Sequence, residues 1–283
     1  MANASFTLSA IGDEIADKLD EQIQLLQELN VRYLDLRGVW GKNVLDLDDD
    51  EARKVRTACD EAGIGISSLG SPVGKSPIEE PMDVVLERLQ RLFRIGEIVG
   101  TRNIRIFSFY PPQGTPESKL DDYVDEAAAR LVQLADLAEQ QGFHLLLENE
   151  KGIVGDTVER CRGLLAGVQN PALSFVWDPA NFVQVGEAAV TESGWPLLGE
   201  RTTSVHIKDA MLGDGSVRPA GQGDGQVSAL LTRLRDEGYQ GFLALEPHLT
   251  VAGHSSGFSG PEGMTVAVKA LRGLMVELDC AEA

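Results

Sequence analysis

Cysteine is scarce in this sequence. Cys59, Cys161 and Cys280 lie far apart, and no C-x-x-C pair occurs. That excludes the common paired-cysteine zinc and dithiol motifs. An odd, scattered set argues for reduced thiols and an intracellular, cytoplasmic setting. Positive charge is also short, with 25 Lys and Arg against 44 Asp and Glu and a net charge of −19. Such a surface repels phosphate backbones and anionic lipid heads, so neither nucleic acid nor a membrane is the expected partner. No apolar run approaches the ~20 residues that span a bilayer. The opening residues, Met-Ala-Asn-Ala-Ser-Phe-Thr-Leu, have neither the basic start nor the apolar stretch of a secretory signal.

Two phosphate-binding fingerprints are missing as well. The first apolar run leads into Ile11-Gly12-Asp13-Glu14 instead of Gly-x-Gly-x-x-Gly, which counts against an open dinucleotide-binding sheet. The loop Gly70-Ser-Pro-Val-Gly-Lys75-Ser lacks the P-loop spacing, although Lys75 remains a candidate contact for a sugar or an anion. A Gly-rich stretch at 253–260, containing His254, has no Lys or Arg. It reads as a lid or a ligand loop, and phosphorylated substrates are not favoured.

What the sequence does have is alternation. Short apolar runs fall at 6–11, 33–36, 64–69, 103–107, 143–147, 173–177, 203–205 and 241–245. Amphipathic segments with helical spacing fall at 17–30, 48–62, 81–99, 120–141, 157–165, 187–198, 226–237 and 265–278. Asp17 is the expected N-cap of the first helix, and Gly63, Gly100 and Gly142 are expected stops. Eight strand–helix units without a linker predict a parallel sheet closed into a single (β/α)8 TIM barrel over residues 1–283. A barrel of this kind takes about 250 residues.

Four polar residues end four successive predicted strands: Leu-Leu-Leu-Glu148, Phe-Val-Trp-Asp178, Ser-Val-His206 and Leu-Ala-Leu-Glu246. The intervals are 178 − 148 = 30, 206 − 178 = 28 and 246 − 206 = 40 residues. Each is about one βα unit, so the four ends belong to adjacent staves and share one mouth. Three carboxylates crowded there repel one another, and a cation is the simplest way to keep them ionised. Three hard oxygen donors and one imidazole suit Mn²⁺ best, with Mg²⁺, Co²⁺ or Zn²⁺ as alternatives.

These strings carry a specific resemblance. With Leu-Leu-Glu148-Asn-Glu, Trp-Asp178-Pro-Ala-Asn-Phe, Val-His206-Ile-Lys-Asp-Ala, Gly221-Gln-Gly-Asp-Gly and Leu-Glu246-Pro-His, the chain resembles the sugar phosphate isomerase/epimerase superfamily, the xylose isomerase-like TIM barrels. The resemblance implies one divalent metal ion on Glu148, Asp178, His206 and Glu246, with Glu148 and Glu246 doubling as acid and base. It implies that Arg218 lies over the substrate, and a homodimer or homotetramer is consistent with it. Many epimerases of the superfamily carry a histidine where Asn181 stands, so Asn181 is expected to bind a sugar hydroxyl without moving protons. Glu150, Lys151 and His248 are further candidate substrate contacts, and Lys208 and Asp209 a supporting pair for His206. Trp40, Phe107 and Phe109 lie near strand ends, where ordinary packing is the expected role.

The resemblance therefore implies a metal-dependent isomerase or epimerase acting on a small sugar or polyol-derived carbonyl compound. The same enolate chemistry on a 3-keto sugar or glycoside makes a lyase or deglycosylating enzyme. An apurinic-site endonuclease of the same superfamily fits poorly. Asn181 replaces one of its histidine ligands, Val217-Arg218-Pro219 stands in place of its Asp-Arg-His, and the charge opposes DNA.

Overall fold

The computed structural model describes residues 4–249 and 259–283. Eight parallel strands close into a barrel: β1 (Thr7–Ile11), β2 (Tyr33–Leu36), β3 (Gly65–Gly70), β4 (Asn103–Ile106), β5 (His144–Glu148), β6 (Leu173–Trp177), β7 (Thr202–Ile207) and β8 (Phe242–Leu245). Each strand pairs with its sequence neighbours, and β8 pairs back onto β1 in register Thr7↔Phe242 to Ala10↔Leu245. The architecture is the single (β/α)8 barrel that the alternation predicts. Among the described residues no helix is long and apolar enough to cross a membrane.

Strand periodicity of two decides what faces where. Leu145, Leu147, Phe175, Trp177, Val205, Ile207, Leu243 and Leu245 join the main hydrophobic cluster shared with the helices. The intervening positions, Leu146, Val176 and Ala244, are buried but outside that cluster. Glu148, Asp178, His206 and Glu246 fall on this second, inward set at the strand ends. Parallel closure brings those ends to one mouth.

The helices are α1 (Leu19–Glu28), α2 (Asp49–Ala62), α3 (Met82–Val99), α4 (Val124–Gln141), α5 (Val158–Gly167), α6 (Pro179–Gln184), α7 (Val190–Leu198), α8 (Val227–Asp236) and α9 (Gly260–Glu277). Asp48 and Glu51 form a capping box at α2, and Gly63, Gly100 and Gly142 end their helices in the left-handed conformation.

Local readings fail at four helix boundaries. Asp17 does not cap α1: Lys18 holds the N-cap position without a side-chain bond, and the Asp17 carbonyl accepts from Trp40 N. The predicted helix at 120–141 begins as a 3-10 turn, Glu117–Tyr123, before α4. The irregular stretch at 187–198 reduces to α7, while α6 arises where no helix was expected, started by Asp178-Pro179. Helix α9 begins at Gly260, five residues before its apolar periodicity.

Two small hairpins follow barrel strands. Gly38–Val39 pairs with Lys42–Asn43 after β2, and Asp209–Ala210 pairs with Val217–Arg218 after β7. Trp40 and Gly41 turn the first hairpin with φ of 55° and 69°, both in the left-handed region that a tight hairpin turn requires.

Candidate metal centre

The four expected side chains meet. Glu148, Asp178, His206 and Glu246 each offer a ligand atom, and these atoms lie within 4.8 Å of one another, all buried. His206 Nδ1 is 3.1 Å from Glu148 Oε1 and 3.1 Å from Glu246 Oε2. One oxygen of each glutamate therefore faces the same ring nitrogen.

The local sequence explains how each ligand is aimed. Asp178 is the N-cap of α6, and its Oδ1 accepts from Asn181 N at 3.0 Å. That turns Oδ2 toward the mouth, where Lys208 Nζ stands 2.8 Å away. Asn149 locks the ends of β5 and β6 together. Its Oδ1 accepts from Asp178 N and its Nδ2 donates to the Asp178 carbonyl, both at 2.9 Å. Asn181, buried in the first turn of α6, donates to the Asn149 carbonyl at 2.9 Å and lies 3.5 Å from Glu148 Oε1. Its Oδ1 is buried without a hydrogen-bond partner.

A ring of cations surrounds the carboxylates. Arg105 Nη1 bonds Glu148 Oε2 at 2.6 Å, and Arg37 Nη1 bonds Glu246 Oε1 at 2.6 Å. Arg37 also pairs with Asp13 and Glu14. His248 Nε2 lies 3.0 Å from Glu246 Oε1, and Lys208 Nζ lies 3.5 Å from Glu246 Oε2.

Burial alone would protonate the acids, because it penalises the charged form. For Glu148, His206 and Arg105 outweigh burial and hold the carboxyl down at about 2. At Glu246 burial is outweighed by Lys208 and His248, which hold the carboxyl well below its usual range. Burial wins at Asp178: Lys208 offsets it in part, the two glutamates add to it, and the carboxyl rises to about 6. Burial disfavours the His206 imidazolium, yet Glu148 and Glu246 push it up to about 10. The cluster thus calls for positive charge at its centre, and without a metal the His206 proton provides it. Three carboxylate oxygens and one nitrogen, close enough for one small cation to bridge, form a donor set that fits a divalent ion.

The other candidates are placed unevenly. His248 touches Glu246 directly. Lys75 and Glu150 pair with each other at 2.8 Å, and Lys151 donates to Gln184 at 3.0 Å. Arg218 is half-buried in the second hairpin and donates to the carbonyl of Val217. The supporting pair of Lys208 and Asp209 does not form. Lys208 turns to Asp178 and Glu246, whereas Asp209 accepts from the backbone N–H groups of Gly221, Gly223 and Gly225 and organises that glycine loop. Phe107 and Phe109 are buried, with Arg105 over the Phe107 ring and Arg130 over the Phe109 ring, while Trp40 is exposed. The Gly-rich stretch and His254 lie outside the described residues, except for Ser259 and Gly260.

Sequence reasoning missed Arg37, Arg105 and Glu14. The signal was present: Glu14 and Arg37 also follow strand ends, and Arg105 is a charge between Ile104 and Ile106 in a strand.

A family model described as the xylose isomerase-like TIM barrel matches residues 23–272. The chain belongs to this family. A search of curated protein sequences finds no match. Among solved structures, a D-tagatose 3-epimerase-like protein superposes with a TM-score of 0.73 at 15% identity, over 97% of this chain and 98% of that one. The IOLI protein with a binding zinc atom gives 0.75 at 16% identity, over 96% and 99%. The 3-keto-D-glucoside 4-epimerase YcjR from E. coli, in its apo form, gives 0.70 at 16% identity, over 96% and 100%. At these identities the likeness establishes the fold.

Proposed function

We propose that this barrel is a divalent-metal-dependent isomerase or epimerase that moves a proton on a carbon beside the carbonyl of a small sugar or polyol-derived substrate. The observation that carries the reading is the pairing of two buried glutamates on one centre. Glu148 and Glu246 each place one oxygen 3.1 Å from His206 Nδ1 and give the other oxygen to an arginine. The neighbours named in the comparisons include a keto-glucoside epimerase, a tagatose epimerase-like protein and a zinc-containing barrel, which supports the same chemistry.

Glu148, Asp178, His206 and Glu246 would hold the ion, Mn²⁺ for preference. A divalent cation bound there supplies Lewis acidity that stabilises negative charge developing on a substrate oxygen. Everything else falls to the chain. His206 and Arg105 keep Glu148 ionised, and Lys208 and His248 do the same for Glu246, so each carboxylate is ready to take a proton from carbon. For inversion, one of the pair acts as the carboxylate and takes the proton from one face. The other, protonated beforehand from solvent, delivers its proton to the opposite face, and solvent exchange then restores the starting pair. Return to the same carbon inverts it, and return to the neighbouring carbon exchanges aldose and ketose. Arg218, Asn181, Glu150, Lys151, His248 and Lys75 are the proposed substrate contacts. The enzyme is proposed to act in the cytoplasm as a homodimer or homotetramer.

The test is a panel of ketoses and keto-glycosides incubated with the Mn²⁺-loaded protein in deuterium oxide. Deuterium entering a carbon-bound position of one substrate, and its loss in Glu246→Gln, is the expected result. Release of water or an aglycone instead assigns the lyase chemistry. Near-wild-type turnover by Glu246→Gln refutes the acid–base role.

A further inference from the structure

A TIM barrel ordinarily fills its interior with layers of bulky branched side chains. This one does not at its N-terminal end, opposite the metal centre. A cavity of about 220 Å³ opens there, lined largely by hydroxyl, amide and carboxylate groups. Two β-bulges build it. Opposite β2, the register passes from Leu34↔Ile66 to Asp35↔Ser68, so Ser67 is an extra residue on β3. Opposite β6, it passes from Phe175↔Thr202 to Val176↔Ser204, so Thr203 is an extra residue on β7. Bulges re-aim side chains, and here Ser67, Ser68, Thr203 and Ser204 all line the cavity.

The walls are set for a polar occupant. Ser9, wholly buried, lines the cavity with its Oγ lacking any hydrogen-bond partner. Buried polar atoms are rarely left so. Asp35 lines it as well, with its carboxylate bonded by the Ser68 hydroxyl. On another side, a hydroxyl chain runs from His144 Nε2 to Ser174 Oγ at 2.7 Å and on to Thr203 Oγ1 at 2.5 Å. Asn103 and the exposed Thr203 stand at the rim.

The lining also says what does not fit. It contains no Lys or Arg, which counts against an anion. Burial pushes its single carboxylate, Asp35, above the ordinary value despite Ser68 and the charges of His206, Arg105 and Arg37. A group driven toward its neutral form counts against a bare cation. Hydroxyls and amides that both donate and accept suit a neutral polyhydroxy compound. The volume holds about seven waters at about 30 Å³ each, enough for a polyol of three or four carbons. We propose that the barrel floor is a second binding site, separate from the metal centre, for a small neutral polyol.

The test is saturation-transfer NMR with erythritol, on the wild-type chain, on Asp178→Asn in the metal centre, and on Ser204→Leu, which fills the floor. The expected result is equal signal from wild type and Asp178→Asn, and at least a fivefold loss in Ser204→Leu. Should Ser204→Leu fail to fold, Asn103→Leu and Thr203→Val at the rim, checked by circular dichroism, are expected to lower the signal in its place. A crystal soaked in erythritol is expected to show it against Ser9 and Asp35. Signal lost with Asp178→Asn but kept in the floor variants, ordered water alone in the soaked cavity, or binding at crystal concentration only would each overturn the proposal.

Discussion

Arg105 Nη1 donates to Glu148 Oε2 over 2.6 Å, and both side chains are almost wholly buried. Glu246 is held in the same way, at the same distance, by Arg37. Each proposed acid–base carboxylate therefore keeps one oxygen for an arginine and turns the other to His206.

Replacing Arg105 with Met leaves Glu148 buried with one cation fewer. Breaking a buried pair by removing one partner costs about 3–5 kcal/mol. The expected outcome is a lowered denaturant midpoint with an unchanged m-value, together with a fall in turnover. Chemical denaturation and the deuterium-exchange assay read the two effects separately. An unchanged midpoint would mean that the pair adds nothing to stability.

Asn149 clamps Asp178 through both of its backbone groups. Its replacement by Ala removes two buried hydrogen bonds and frees the end of β6. Loss of outer partners of this kind lowers metal affinity about 10–100-fold. Competition with a chromogenic chelator measures this, and affinity equal to wild type speaks against the clamp.

Chelation should abolish turnover, and a divalent ion should restore it. Because His206 is pushed up to about 10 in the metal-free cluster, it carries a proton at pH 7 that a metal must displace. Binding is then expected to release about one proton at pH 7, and affinity to fall as pH is lowered. Calorimetry in buffers of differing ionisation enthalpy counts that proton. Metal at 100 times its Kd adds about 2.7 kcal/mol of stability, visible as a higher Tm. Full turnover after exhaustive metal removal contradicts the metal requirement.

His144, at the opposite end of the barrel, is pushed below its ordinary value by burial and by Arg201. Unfolding therefore takes up a proton in the window between the lowered value and about 6.5. The stability linked to His144 is fully present above that window and lost as the pH falls through it. His144→Gln should flatten the acid limb of the stability curve below about pH 6.5. Curves that stay parallel across that range would exclude His144 as the source.

Much of the barrel was legible because its signals are local. Strand β6 and the C-terminal stops at Gly63, Gly100 and Gly142 follow from short-range pattern and backbone freedom. The boundaries that failed were settled by contacts from elsewhere. The Asp17 carbonyl is taken by Trp40, so the chain around Asp17 is held before the helix can start there. Helix α9 begins at Gly260, ahead of its periodicity, with Ser259 fastened to Glu14 from the neighbouring stave. The four proposed ligands were readable because each closes an apolar run at an interval of one βα unit.

The sequence by itself determined that Glu148, Asp178, His206 and Glu246 reach one mouth, since alternation along a strand and the length of a βα unit are properties of neighbouring residues. Only the tertiary structure decided which cation meets which acid. Arg37 and Glu246 are 209 positions apart and Arg105 and Glu148 are 43 apart, and no local pattern encodes either pairing. Closure of β8 onto β1 brings Arg37 to Glu246, and the pairing of β4 with β5 brings Arg105 to Glu148. The bulged registers between β2 and β3 and between β6 and β7, likewise settled by strand pairing, leave the floor of the barrel hollow.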